Sequence, residues 1–373
     1  MVIRVILTIY SKSGLSKTTR IMIGRMKMSK LDDVMKDFNK RFKSEGELVH
    51  IGLADYNYER IPFTSPRLNY MTYGGLPVGR LVEFYGEEHG GKTTTALDIV
   101  ANYQHMEDAK KVLWADCENT LDVKWAKTLG VDVDSMIILN PTTQGAETIF
   151  DFLEKSIDTE EVGLVVIDSI GVMVSNQAMD KTIEEKTYGG ISQALTSFSK
   201  RAEGLCHRTG CVLLGINQMR ADMNSMYGGM TTPGGNAWRH NCSVRLEFRK
   251  GKYFDFNGKE LNSRAENPAG NFVNVYMTKN KTCRPDRRTG FYTLNYLDGI
   301  DYLGDLIEVA IKYGIVDKSG AWFTIIDTET GEVLSDKIQG QNRVKEFLSD
   351  ESNIQVLQRI EALIDKEVHT VSD

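Results

Sequence analysis

The chain has 373 residues, with 45 Lys and Arg against 51 Asp and Glu and a formal net charge of -6. Hydrophobic residues at 41% and charged residues at 26% are ordinary globular usage, which excludes general disorder, a collagen-like fibre and an integral membrane protein. The charge is uneven: residues 1–43 carry a local excess of +8 and residues 317–373 one of -6, so weak overall acidity does not exclude a polyanion partner.

Residues 1–25 open with an apolar run over 2–10, far too short to span a bilayer, and no small-residue cleavage pattern follows it. An unstructured arm or an upstream start is the preferred reading, with Met1, Met26 and Met28 as candidate starts and organellar import as the lesser alternative. Leu31, Val34, Met35, Phe38 and Phe42 recur at helical spacing and predict an amphipathic helix over 31–42 whose apolar face needs a partner. A short strand over 48–53 and an irregular stretch containing Pro62 and Pro66 follow.

From residue 81 the pattern alternates: strands over 81–85, 112–115, 136–139 and 164–167, helices over 92–104, 123–129 and 146–155, then a helix over 191–208 and a strand over 211–216. Such βαβ alternation predicts a mostly parallel, doubly wound sheet. Strands over 244–248, 272–278 and 291–296 extend it with antiparallel edges. A small acidic α+β tail with helices over 303–313 and 354–365 completes the chain. The five cysteines show no metal spacing, and Cys206 and Cys211 read as ordinary buried thiols of a reducing compartment.

Gly86-Glu87-Glu88-His89-Gly90-Gly91-Lys92-Thr93 fits G-x-x-x-x-G-K-[ST] between a predicted strand and a predicted helix, the context a phosphate-binding loop requires. Its glycines let backbone N–H groups turn toward phosphate oxygens at the positive end of the helix. Lys92 reaches the β- and γ-phosphates of ATP, the Thr93 hydroxyl ligates Mg²⁺, and Thr94 follows in the same turn. Asp168, ending the apolar run 164–167, stands where a second carboxylate would hold hydrated Mg²⁺. Asp116 and Glu118, past the strand over 112–115, are candidates for the group that deprotonates water; Glu118 projects further and is preferred. Gln218 could sense the γ-phosphate with its amide.

Beyond the loop, GGLPVGRLVEFYG, LWADCENTLD, LVVIDS, GINQMR, TTPGGNAWRHNCSVRLEFRK, TKNKT and GIDYLGDLIEVAIKYGIVDKSGAWF occur in one order, and in this the chain resembles the bacterial RecA recombinase family over about residues 28–365. The resemblance implies an α/β fold: a RecA-type P-loop NTPase core with a mostly parallel twisted sheet, an N-terminal helical oligomerisation arm and a small α+β C-terminal domain. The implied division is 1–25 extension, 26–60 oligomerisation helix and strand, 61–299 ATPase core and 300–373 C-terminal domain. The implied activity is an ATP- and Mg²⁺-dependent, DNA-dependent ATPase that forms a helical filament on single-stranded DNA, pairs it with homologous duplex and exchanges strands in the cytoplasm, with single-strand-binding and loader proteins as further partners and no membrane.

Carried over by position, Glu118 matches the catalytic glutamate, Gln218 the γ-phosphate sensor, Asp122 and Trp125 the adenine contacts, and Lys279 and Lys281 a pair reaching a neighbour's ATP. Two DNA loops are implied, over 175–190 and 219–236. In the second, Arg220 can neutralise a phosphate, Met223, Met226 and Met230 can act as apolar wedges, and Gly234, Gly235 and Asn236 can offer backbone N–H groups. Arg249 and Lys250 match part of a secondary duplex site. His89 and Gly90 replace small serines of the loop, Asn274 and Tyr276 replace basic residues, and His240 replaces an interface aromatic, which suggests a divergent, phage-encoded member. Two other classes remain open: a hexameric RecA-fold DNA motor and a non-catalytic recombination mediator.

Overall fold

Short apolar runs separated by amphipathic helices can bury all their surface only as parallel strands between two helical layers, and the computed structural model has that form. It describes residues 30–41, 59–179, 190–221, 229–256 and 258–369. The chain divides into two units, 1–56 and 57–373. In the first, α1 (Lys30–Arg41) is the predicted amphipathic helix; the extension 1–25 and the strand expected over 48–53 lie outside the described residues.

The second unit opens with β1 (Arg60–Ile61), α2 (Pro66–Thr72) and β2 (Leu76–Pro77). The stretch read as irregular thus contains a helix. Ser65 caps it, accepting from the Leu68 N–H, and Pro66 takes the first turn, where its missing N–H costs nothing.

The alternation follows: β3 (Leu81–Gly86), α3 (Lys92–Gln104), β4 (Lys111–Asp116), α4 (Val123–Thr128), β5 (Ile137–Leu139), α5 (Ala146–Asp158), β6 (Val162–Asp168), α6 (Asn176–Met179), α7 (Gly190–Thr209) and β7 (Val212–Gln218). A two-residue pair, β8 (Arg220–Ala221) with β9 (Met230–Thr231), leads to α8 (Gly235–Asn241). The strands that follow are β10 (Val244–Phe254), β11 (Glu260–Leu261), β12 (Gly270–Asn280), β13 (Thr289–Asn295) and β14 (Gly299–Ile300). The last part holds α9 (Tyr302–Lys312), β15 (Val316–Ser319), β16 (Trp322–Ile325), β17 (Ile338–Gln339), α10 (Gln341–Ser349) and α11 (Ile354–His369).

The main sheet runs β14-β13-β12-β10-β3-β7-β6-β4-β5, with β11 paired to β10. Strands from β10 to β5 are parallel and the rest antiparallel. Period-two alternation sends Val82 and Phe84 toward α3, with Ile99 and Val100, and Leu81 toward α5 and α7, where Phe150 and Phe198 stack at 4.3 Å. A third cluster, including Leu306, Ile307, Phe323 and Leu363, forms the C-terminal core. No helix among the described residues is long and apolar enough to cross a membrane.

Two arginines turn inward. The Arg287 guanidinium is buried, donates to the Tyr70 and Val368 carbonyls at 3.1 and 2.9 Å, and stacks on Tyr70 and Tyr73. Arg245 pairs with Glu83, which is fully buried, and stacks on Tyr85. Each cation is used to satisfy buried oxygens.

Candidate nucleotide and DNA site

Strand register assembles the candidate site. Gly86 of β3 aligns with Gln218 of β7, and Asp116 of β4 with Asp168 of β6, so four strand ends deliver their residues to one edge. The loop leaving β3 is held tightly against β10. Gly86 has φ +150°, and a Cβ there would sit 2.1 Å from the Phe248 carbonyl oxygen, so only glycine fits. Gly91, at φ +93°, precedes α3 with no side-chain cap, leaving the first backbone N–H groups of that helix for an anion. Glu87, Glu88 and His89 are exposed, His89 at φ 57°, and Gly90 is buried.

The buried Lys92 donates from Nζ to the Gly86 and Glu87 carbonyls at 3.2 and 2.6 Å. Burial lowers its pKa, opposed by the charges of Asp168, Glu118, Glu88 and Glu87. The Thr93 hydroxyl donates to Asp168 Oδ2 at 3.0 Å. Burial pushes the Asp168 carboxyl up to about 7, with Glu118 and Asp116 adding to the effect and Thr93 and Lys92 opposing it. A hydroxyl and a carboxylate are the hard oxygens Mg²⁺ takes when phosphates and water supply the rest. No cluster of three or more His, Cys, Asp or Glu among the described residues could hold a metal by itself.

Glu118 Oε1 accepts from Ser169 Oγ and, at 3.2 Å, from Gln218 Nε2. The N–H groups of Cys117 and Glu118 both reach the Asp168 carbonyl, which fixes this turn to the end of β6. Asp116, the other candidate base, spends both oxygens on the Thr120 and Leu121 N–H groups and so builds the turn. Asp122 caps α4 by accepting from the Trp125 N–H at 3.0 Å, and Trp125 Nε1 donates to Thr94 Oγ1 at 3.3 Å.

The remaining sequence-predicted residues are spread along the neighbouring elements. Arg220 is exposed and donates to the Gly171 carbonyl at 2.7 Å. Met223 and Met226 lie outside the described residues, as does most of the first loop, of which α6 is the described start. Gly234 is the N-cap of α8, and Gly235 and Asn236 belong to that helix, so the end of the loop implied over 219–236 is helical. Lys279 Nζ donates to the Arg239 and His240 carbonyls, both at 2.7 Å, and Lys281 Nζ to His240 at 2.9 Å. Both ammonium groups thus sit on the C-terminal carbonyls of α8, where a cation is favoured. Arg249 pairs with Glu247 and lies over the Tyr276 ring, whereas Lys250 lines a cavity of about 390 Å³ with His89, Gly91, Lys92, Thr94 and Tyr296.

Sequence reasoning missed one connection. Asn217 Nδ2 donates to Glu83 Oε1 at 3.0 Å and to the Pro233 carbonyl at 2.9 Å, so the residue before Gln218 ties the start of α8 to the buried Glu83–Arg245 pair. Its only signal was two polar residues, Glu83 and Asn217, inside apolar strand runs.

Two family models match the chain: the RecA N-terminal domain over residues 29–301 and the RecA C-terminal domain over 304–369. Among curated relatives, Protein RecA of Ruminococcus albus is 32% identical over 341 residues, covering 91% of this chain and 80% of that protein. Protein RecA of Clostridioides difficile is 36% identical over 74% of each chain, and that of Clostridium acetobutylicum 30% identical over 90% of each.

Proposed function

Because this chain belongs to the RecA family, we propose that it is a DNA-dependent ATPase that forms a helical filament on single-stranded DNA, pairs it with homologous duplex and exchanges strands. The observation that carries the reading is the Glu118 carboxylate, held between Ser169 and Gln218 beside the Thr93–Asp168 pair.

ATP binds with its phosphates against the N–H groups of the loop and the first turn of α3. Lys92 exchanges the Gly86 and Glu87 carbonyls for phosphate oxygens, a short swing because Nζ already lies within the loop. Thr93 and Asp168 would hold Mg²⁺, which when bound neutralises charge on the phosphates. Glu118 orients a water and takes its proton as the water oxygen attacks the γ-phosphorus and the bond to the β-phosphate oxygen breaks. Gln218 shares the Glu118 oxygen and offers its amide to the γ-phosphate.

The neighbouring Met219 N–H bonds Gly86, and Asn217 bonds Pro233, so a shift of this strand end reaches both the phosphate loop and α8. In the filament, Lys279 and Lys281 serve the neighbour's nucleotide, and the second loop, with Arg220, Met223, Met226, Gly234, Gly235 and Asn236, grips DNA through its backbone. Asp122 and Trp125 face the adenine, and α1 is the arm onto the adjacent subunit.

The test is ATP turnover and strand exchange by wild type, Glu118→Gln and Lys92→Ala. Glu118→Gln should keep ATP and single-stranded DNA binding while turnover falls by about 10²-fold or more. Lys92→Ala should lose both turnover and exchange. Turnover by Glu118→Gln within a few-fold of wild type would remove Glu118 as the base, and closed rings instead of helices in electron micrographs would favour a motor.

A further inference from the structure

We propose that Lys250 belongs to the nucleotide site, supplying a second cation to the triphosphate, and not to the DNA face that carries Arg249. The inference rests on the reading of the 86–93 loop as the ATP site and adds a residue to it. Adjacent residues of a strand point to opposite faces, and the register of β10 assigns the two faces here. Arg249 pairs across to Asn274 and Glu247 to Tyr276, a row on one face where Arg249 holds Glu247 and covers the Tyr276 ring. Phe248 and Lys250 pair across to Val275 and Val273 on the opposite face. That face lies under the phosphate loop: the Phe248 carbonyl and the Val273 methyls are what a Cβ at Gly86 or Gly91 would strike.

Lys250 accordingly lines the cavity of about 390 Å³ that opens on the loop, its Nζ resting on the hydroxyl and ring of Tyr253. Electrostatics gives the position a purpose. Lys92 lies in the field of Asp168, Glu118, Glu88 and Glu87, with Asp116 adding its charge at Asp168 and Arg249 acting on Glu87 alone of these. A triphosphate entering that field is repelled unless further positive charge is provided. An exposed ammonium on a flexible stem at the cavity wall can swing from Tyr253 to the phosphates.

The experiment uses the full chain and measures Mg·ATP affinity by calorimetry without DNA, and duplex affinity at saturating nucleotide, for wild type, Lys250→Met, Lys250→Arg, Arg249→Met and Lys92→Ala. Lys250→Met should weaken ATP binding by about three- to tenfold, as expected for a charge-assisted contact in a partly exposed site, and Lys250→Arg should restore it. The loss in ATP affinity should exceed any loss in duplex affinity at least threefold, and Arg249→Met should show the reverse order. Unchanged ATP affinity in Lys250→Met, with Lys92→Ala strongly impaired, overturns the inference and leaves the ATP site standing. Unchanged ATP affinity in Lys92→Ala overturns the ATP-site reading and this inference with it.

Discussion

Asp305, in the first turn of α9, is fully buried, and its Oδ2 accepts from Ser65 Oγ at 2.6 Å while Oδ1 has no partner. Burial pushes this carboxyl up to about 7 from the ordinary 3.8, against the nearby charge of Arg67 and the Ser65 bond and with Asp301 adding to the rise. A raised acid binds its proton more tightly when folded, so stability falls as pH rises from about 4 to about 7 and is level above that. At about 1.4 kcal/mol per tenfold in proton affinity, the gap amounts to about 4 kcal/mol. Asp305→Asn keeps the Ser65 bond but buries an unpaired amide, and should cost about 1–3 kcal/mol near pH 5. By about pH 8 the wild type bears the buried charge and the variant does not, so the difference should close or reverse. Asp98, fully buried on α3 and pushed up to about 6, acts in the same direction in both proteins and cancels in the comparison. Urea midpoints followed by circular dichroism between these pH values read the effect. Parallel pH profiles for the two proteins would refute the reasoning.

Three further perturbations follow from named contacts. Gly86→Ala places a Cβ 2.1 Å from the Phe248 carbonyl and should cost about 3 kcal/mol or more together with ATP binding; a melting temperature equal to wild type would show that the loop can yield. Asp122→Ala removes the cap of α4, about 1 kcal/mol, whereas Asp122→Ser retains it. Both should weaken ATP binding if the carboxylate meets the adenine, and an effect confined to the alanine variant would reduce Asp122 to a cap. Lys279→Met strips an ammonium from the Arg239 and His240 carbonyls, and amide hydrogen exchange across α8 should quicken by about fivefold; unchanged protection would mean that Lys281 alone suffices.

Much of the fold was legible because parallel strands buried on both faces read as continuous apolar runs, as 164–167 does, and because glycine and lysine at fixed spacing have few uses other than holding phosphate. The helix Pro66–Thr72 was misread: two prolines suggested irregularity, while the Ser65-Pro66 cap pair was the stronger signal. Arg249 and Lys250 were grouped by their match to a secondary duplex site, and strand alternation sends their side chains to opposite faces. Nothing in the local sequence announced that Lys279 and Lys281 reach α8, or that Arg245 is held by Glu83, since these partners are 39 to 162 residues apart.

The sequence by itself determined the strand and helix alternation from residue 81 to 218, the Gly86–Thr93 motif and the acidic residues at the strand ends, because periodicity and short motifs are local properties of a chain. Tertiary structure alone decided which of those ends meet. Register aligns Gly86 with Gln218 and Asp116 with Asp168, divides Glu118 from Asp116 by their hydrogen bonds, and turns Arg245 and Arg287 inward. A cation's sign can be read from its codon, but whether it faces a polyanion or a buried oxygen depends on which distant segment packs beside it.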